Sequence, residues 1–385
     1  MASDRETREG ESGMIYLDYQ ATTPLAPEAR AAMLPYLGDK LGNPHSAHRW
    51  GREASAAVEL ARERVGAPFG GGGRLIFTSG ATEALNLAMK GSFAKAPPGR
   101  TRIVTVATEH AAVLDTVGWL AGQGADVVIL PVGCDGLVDL DQVAAAIDDR
   151  TALVAVMMVN NEIGVIQPVA EIAAMARAKG ALMLCDAVQG YGRVSLPVES
   201  CDMIAISAHK IHGPKGIGAL WVRDGVALEP QMHGGGQEAG LRSGTLAPAL
   251  CAGFGVAADL MARMEQEDAA HVETLWRHTH AALGEDWTVN GSIERRYRGN
   301  LNIRHAGLDV GRLISDVREV ALSAGSACAS GSGRPSHVLR AIGLSDAEAR
   351  SSIRLGFGRY TSVEEIDRAI AKIRDAVDQQ RSFAA

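Results

Sequence analysis

Residues 181–210 read ALMLCDAVQGYGRVSLPVESCDMIAISAHK. Two short apolar runs, 181–185 and 203–207, stand out in this stretch. They are short, apolar up to the closing Ser207 of the second, and bounded by turn residues, the pattern of strands buried on both faces of a parallel sheet. Each run ends on polar side chains: Asp186 follows the first, and Ser207-Ala-His-Lys210 closes the second. In a parallel sheet, ligands bind beyond the carboxyl ends of the strands, so these residues lie where chemistry is expected.

Working outward, the same alternation of β-rich runs and helical patterns fills residues 75–222 and predicts strands at 75–78, 103–107, 127–131, 153–159, 181–185, 203–207 and 217–222. Apolar positions at three- and four-residue steps predict helices at 83–91, 113–121 and 169–179. After Gly234-Gly-Gly236 an Ala-rich helical pattern runs from 248 to about 265. Strands are expected beyond it at 301–303, 317–322 and 353–356, with a closing amphipathic helix over 363–380. The chain has 385 residues, which at roughly 100 to 200 residues per domain suggests two domains. The expected fold class is α/β: a large domain over 15–255 with a mainly parallel seven-stranded sheet, and a smaller α+β domain over 256–385. The first residues of the large domain are expected to pack with the small one, and residues 1–13 to be disordered.

Hydrophobic residues make up 46% and charged residues 22%, the balance of a globular protein in water. No apolar run approaches the ~20 residues of a membrane span, and the polar start resembles no signal core. A cytoplasmic location with no membrane partner is expected. A net charge of −7 argues against direct nucleic-acid binding, which rests on clustered Lys and Arg. The five cysteines are odd in number and widely spaced, without a CxxC pair, so no zinc site or disulfide framework is indicated.

Three segments carry candidate chemistry. Ser79-Gly-Ala81-Thr82-Glu83 joins a strand to a helix, placing backbone N–H groups and a helix dipole where a phosphate would sit. Asp186, at the mouth of a buried strand, needs a cationic partner, which a protonated pyridine nitrogen would supply. Lys210, at the end of a later strand, could form a Schiff base, with Lys215 as a rival. Taken singly, each has a plainer reading: a capped turn, a turn-capping Asp and a solvated Lys. Together they match what pyridoxal phosphate (PLP) requires: a phosphate cradle, a partner for the ring nitrogen and an amine. No GxxxxGK[ST] loop competes, and Gly253-Phe-Gly255 lies within a helical pattern and follows no strand.

From about Ile15 to the last helix the chain resembles the cysteine desulfurases, fold-type-I PLP enzymes related to class-V aminotransferases. The matching segments are Tyr16-Leu-Asp-Tyr19 with Ala21-Thr-Thr-Pro24, Gly42-Asn-Pro44 with His48, Thr78-Ser-Gly-Ala-Thr-Glu83, Thr108-Glu-His110 and Val159-Asn-Asn-Glu-Ile-Gly164. Further matches are Asp186-Ala-Val-Gln189, Ser207-Ala-His-Lys210 with Gly213-Pro-Lys-Gly216, Arg242-Ser-Gly-Thr245, Ser323-Ala-Gly-Ser-Ala-Cys328 and Ser351-Ser-Ile-Arg354. The resemblance implies that Lys210 holds the cofactor, Asp186 its ring nitrogen and Gln189 its ring oxygen, while His110 stacks on the ring. It assigns the phosphate to Ala81, Thr82, Ser207 and His209, with Thr245 reaching the phosphate of the other subunit of a homodimer. Asn161 and Arg354 would bind the substrate carboxylate, Asn161 also lying against the cofactor.

The activity so implied removes sulfur from L-cysteine. Lys210 moves the Cα proton, and Cys328 takes the sulfur as a persulfide, with His110 as its proton acceptor, while alanine leaves. No metal is expected, although Cys328 could contact an iron–sulfur centre during transfer. The long loop around Cys328 resembles the division of the family that serves several acceptor proteins, such as an iron–sulfur scaffold. Ala111, Ala84 and the pair Leu184-Cys185 depart from the family's usual residues, and none holds a proposed catalytic role. A selenocysteine lyase or a transaminase of the same fold would share the cofactor residues. A non-enzymatic scaffold would be expected to have lost Lys210 or Asp186.

Overall fold

The computed structural model describes residues 13–324 and 335–384. By contacts the chain divides into two units: residues 22–161 with 165–265, and residues 1–21, 162–164 and 266–385. The sequence reading divided the chain at 255/256. The contacts divide it ten residues later, within a helix that runs unbroken from Pro248 to Leu283.

The larger unit is built on a sheet of strands Gly73–Thr78, Arg102–Val106, Asp126–Leu130, Thr151–Met157, Leu182–Asp186, Met203–Ser207 and Gly218–Arg223. The five strands from Met203–Ser207 through Leu182–Asp186, Thr151–Met157 and Arg102–Val106 to Asp126–Leu130 pair in parallel. Gly218–Arg223 runs antiparallel to both its neighbours, Gly73–Thr78 and Met203–Ser207. Every residue of Thr151–Met157 is buried, which explains its continuous apolar sequence. Helix Ala81–Ala94 covers one face through Leu85, Ala88 and Met89, packed in one cluster with Ile103, Leu153, Leu184, Met203 and Leu220.

In the smaller unit Asn300–His305 pairs antiparallel with both Ser352–Gly356 and Trp287–Val289, and Ser323–Ala324 adds to Ser352–Gly356. Its core gathers Leu301, Ile303, Ile353 and Leu355 from the sheet against Ile366, Ile370 and Ile373 of the closing helix Val363–Ala384.

The strand expected over 317–322 is formed only over Val320–Ala321, which pairs in parallel with Ile15–Tyr16. Helix Val310–Asp316, capped by the Asp309 side chain accepting from Arg312 N, leads instead into two-residue strands at Val320–Ala321 and Ser323–Ala324. Val310, Leu313 and Val317 are buried at helical spacing, so the helix packs on its apolar stripe up to the edge of the expected strand, which is cut short at Leu322. Helices Pro27–Leu37 and Arg49–Gly66 are also additions. The first carries Pro35 and buries Ala29 alone among its residues, and the second buries a stripe mainly of Gly51, Ala54, Val58 and Ala61, so neither gives a strong apolar signal. Among the described residues no helix is long and apolar enough to cross a membrane.

Candidate active site

The parallel strands of the larger unit end at one edge of the sheet, and three chemistry-bearing turns meet there. Gly218 pairs with Thr78 on one side and with Ser207 on the other, so the turns after those residues are neighbours. A Cβ at Gly218 would lie 2.7 Å from Gly80 C and from Ile206 O, so only glycine lets the backbones approach this closely.

Helix Ala81–Ala94 starts in the first turn with no side chain capping it. Its leading amides, those of Ala81 and Thr82, have no carbonyl one turn earlier in the helix to bond. Thr78 Oγ1 donates to Gly80 O at 2.9 Å, and Glu83 Oε2 accepts from Ser79 N at 2.7 Å, which fixes the turn around those amides. Glu83 in turn is held by Arg242, Nε to Oε1 at 2.8 Å. Burial raises the Glu83 carboxyl, but hydrogen bonds from Arg242 and Ser79 outweigh it and the net position is below the ordinary range.

Asp186 is 4% exposed at the end of its strand, where Oδ1 accepts from Val188 N at 3.0 Å. Burial pushes its carboxyl up, against the pull of the positive charges that His110 and Lys210 can carry. A carboxylate in this position is stabilised by an added cation. Gln189, one turn on, accepts from Arg193 Nη1 at 2.8 Å. Arg193 Nη2 also donates to Lys210 O, tying the two turns together.

Lys210 ends a single 3₁₀ turn, Ala208–Lys210, directly after Met203–Ser207. Thr22 and Thr23 brace that turn: Thr23 donates to His209 O through both its N–H and its Oγ1 at 2.9 Å, and Thr22 Oγ1 lies 3.1 Å from His209 Nδ1. His212 follows with φ 66, a left-handed conformation uncommon outside glycine, held by Nδ1 to Pro24 O at 2.9 Å. Lys210 is half-buried and Lys215 exposed, which favours the former as the amine. Burial first, then the charges of Lys210, Lys215 and Arg193, depress the His209 imidazole to about 4.

His110 caps helix Ala111–Ala121, its Nδ1 accepting from Ala112 N at 3.1 Å. Glu109 is fully buried beside it and accepts from Met157 N at 2.6 Å. Burial raises its carboxyl well above the ordinary range, and nearby Asp186 adds to the rise.

Of the other predicted residues, Asn161 follows Asn160, whose Nδ2 donates to Thr108 O at 2.8 Å. Thr245 is exposed, three residues after Arg242. Asn161 falls in the larger unit and Arg354 in the smaller. Arg354 is 1% exposed on Ser352–Gly356 and donates from Nη2 to Asp18 Oδ1 at 2.7 Å and to Ser323 Oγ at 3.1 Å. Cys328 lies outside the described residues. Of the remaining cysteines, Cys185, Cys201 and Cys251 are buried and Cys134 is exposed.

The comparisons bear directly on this constellation. The class-V aminotransferase family description matches residues 15–369. "Cysteine desulfurase IscS" of Rickettsia akari is 44% identical over 380 residues, covering 96% of this chain and 92% of the relative. The chain belongs to the cysteine desulfurase family. A second cysteine desulfurase IscS, from Rickettsia bellii, is 45% identical over 379 residues, with the same coverage of both chains. Among solved structures, a "NifS-like protein" superposes with a TM-score of 0.88 at 32% identity, covering 95% of this chain and 99% of that one. A structure described as SspA in complex with cysteine gives 0.80 at 34% identity, covering 90% and 99%.

Cysteine desulfurases are fold-type-I PLP enzymes, and the larger unit has that fold. Its residues fit the cofactor: a buried carboxylate short of positive charge, leading helix amides with a fixed turn around them, and an amine at an adjacent strand end. The sequence missed the bracing groups. Thr22 and Thr23 act on His209, Glu83 on Arg242 and Arg193 on Lys210, contacts that only folding makes, and only the motifs containing Thr22, Thr23 and Glu83 hinted at them.

Proposed function

We propose that this chain is a cysteine desulfurase that takes sulfur from L-cysteine with the help of PLP, working as a cytoplasmic homodimer. The observation that carries the reading is the buried Asp186 carboxylate beside the Lys210 turn at one sheet edge, in a chain of this family.

When bound, the cofactor supplies an electron sink for breaking bonds at the Cα of an attached amino acid. Asp186 would hold its ring nitrogen, Gln189 its ring oxygen, His110 its ring face, and Ala81, Thr82, Ser207 and His209 its phosphate, with Thr245 serving the partner subunit. Lys210 is the amine that takes the Cα proton, and the low position of the His209 imidazole keeps a second positive charge away from it. Asn161 and Arg354 are assigned to the substrate carboxylate.

Cys328 is assigned to the sulfur. Its thiolate would form an S–S bond to the substrate sulfur as the substrate C–S bond breaks, the bonding pair staying with Cβ, which takes up a proton while Lys210 returns one to Cα; the carbon skeleton leaves as alanine and the persulfide passes to an acceptor such as an iron–sulfur scaffold. The Nδ1 acceptance from Ala112 N modifies the role first expected for His110. A neutral ring bonded this way carries its hydrogen on Nε2, so it faces a neighbour as a proton donor and takes a proton only by leaving the cap.

The test is to add L-cysteine to the purified protein, assay alanine and examine the Cys328 peptide by mass spectrometry. Alanine with one added sulfur on Cys328 is expected. Cys328→Ala should keep the cofactor spectrum and lose the persulfide, and unchanged sulfide release by that variant would remove Cys328 from the reaction.

A further inference from the structure

Two of the matched motifs, Tyr16-Leu-Asp-Tyr19 and the start of Ser323-Ala-Gly-Ser-Ala-Cys328, have no part in the roles above. In the smaller unit they meet at Arg354. Arg354 Nη2 donates to Asp18 Oδ1 at 2.7 Å and to Ser323 Oγ at 3.1 Å, and Ser323 Oγ donates to the same Asp18 oxygen at 2.8 Å. The three side chains close a ring of hydrogen bonds.

Strand pairing supports the ring from beneath. Ser323 is the direct partner of Arg354 in the register of Ser323–Ala324 with Ser352–Gly356, and Asp18 bridges to Gly356 on the same strand. Tyr16 Oη donates to Asp18 O at 3.3 Å. The Tyr16 hydroxyl is pushed up to about 12, by burial first and then by the Asp18 charge, against the pull of Arg354, so it stays a donor at any working pH.

A guanidinium that is 1% exposed requires a counter-charge, and Asp18 supplies it. Both hydrogens of Nη2 are directed by the ring, one to the carboxylate and one to the hydroxyl, which sets the plane of the guanidinium. With Nη2 committed to the ring, a substrate carboxylate would be met by Nη1, whose N–H directions lie in that plane, so a rotation of the plane costs that charge-assisted bond.

We propose that Asp18 and Ser323 are positioning residues for Arg354, and that through it they set the preference for substrates with a free α-carboxylate. The proposal rests on the assignment of Arg354 to the substrate carboxylate.

The experiment compares L-cysteine with L-cysteine methyl ester, whose carboxylate is masked, and reads the ratio of their kcat/KM values in the holoenzyme. The wild type is expected to favour L-cysteine. In Asp18→Asn the ratio should fall about tenfold, the worth of one charge-assisted hydrogen bond, through a rise in KM for L-cysteine. The methyl ester should change by less than about threefold, since it never used the pair. Ser323→Ala should move the ratio the same way by about threefold, as for one neutral hydrogen bond, and it tests the idea if Asp18→Asn does not fold.

Arg354→Lys separates the two layers. A ratio unchanged by Arg354→Lys, or close to one in the wild type, overturns the assignment of Arg354 itself. A ratio that collapses in Arg354→Lys but is kept in Asp18→Asn and Ser323→Ala overturns the positioning role alone. Equal losses on both substrates in Asp18→Asn and Ser323→Ala would mean a purely structural role and would also overturn it.

Discussion

Arg242 and Glu83 are 159 residues apart in the chain and make a two-point contact, Nε to Oε1 at 2.8 Å and Nη2 to Oε2 at 3.4 Å. Glu83 lies in the first turn of the helix whose amides are assigned to the phosphate, and Arg242 opens the segment that ends in Thr245. One ion pair therefore ties the turn proposed for a subunit's own phosphate to the loop proposed to reach the phosphate of a partner subunit. Arg242→Gln should weaken cofactor retention by about 1.5–3 kcal/mol, the range for a hydrogen bond to a charged group. Cofactor release during dialysis, followed by absorbance, measures it, and retention equal to the wild type would detach this pair from the phosphate site.

Asp186→Asn replaces the buried charge with a neutral group of the same shape. With the charge gone, the hold proposed for Asp186 on the ring nitrogen is lost, and kcat should fall at least ~100-fold at saturating cofactor, a loss typical of one preorganised electrostatic contact. Bound cofactor, measured after alkaline release, should remain above half occupancy because the other contacts persist. A variant with full turnover would place the ring elsewhere.

Substitution can separate the helix cap that His110 makes from the chemistry proposed for it. Asn keeps a side-chain acceptor for the Ala112 amide, while Ala removes it. His110→Ala should lose about 1 kcal/mol of stability, as expected for a lost N-cap, and His110→Asn should stay close to the wild type. Both should lose turnover, because neither carries a ring proton. Urea denaturation and steady-state kinetics on the two variants decide between cap and chemistry.

The His209 imidazole gives the cofactor-free protein a dependence on acid. Its folded value, about 4, lies below the ordinary value of 6.5, so the unfolded chain takes up the proton first as pH falls. The stability is complete above about 6.5 and is lost as pH falls toward about 4. After allowance for partial exposure the loss is about 1–2 kcal/mol. His209→Gln should flatten the change in melting temperature between pH 7 and pH 5, and an equal slope in both proteins would refute the assignment.

Much of this was readable in the sequence because the informative residues follow buried strands. The run before Lys210 could be placed at Met203–Ser207 since apolar, β-branched sequence there had no competing helical period. Asp186, Lys210 and the 79–83 turn followed directly. The 317–322 run gave a strand of two residues only, Val320–Ala321, because a helix ends at Asp316 just before it and the chain breaks again at Leu322. Sequence spacing also carries no sign of the antiparallel direction of Gly218–Arg223, which depends on a tight turn after Lys210. Least legible were Thr22, Arg193, Asp18 and Ser323. Each acts on a partner brought near by folding, and polar residues of these types are common at any surface.

A protein that handles electrophilic sulfur must keep its own spare thiols out of the exchange. Cys185 lies against Cys201, and that contact, followed by burial, pushes the Cys185 thiol well up; burial raises Cys251 to about 12. Neither forms the thiolate that attack on a persulfide needs. Iodoacetamide applied to the native protein will accordingly spare Cys185 and Cys251, miss the buried Cys201 for want of access, and mark Cys134 together with the proposed nucleophile Cys328. The interior of the larger unit is thus chemically silent toward its own cargo, and stray sulfane sulfur found on purified protein will mark the surface rather than the core.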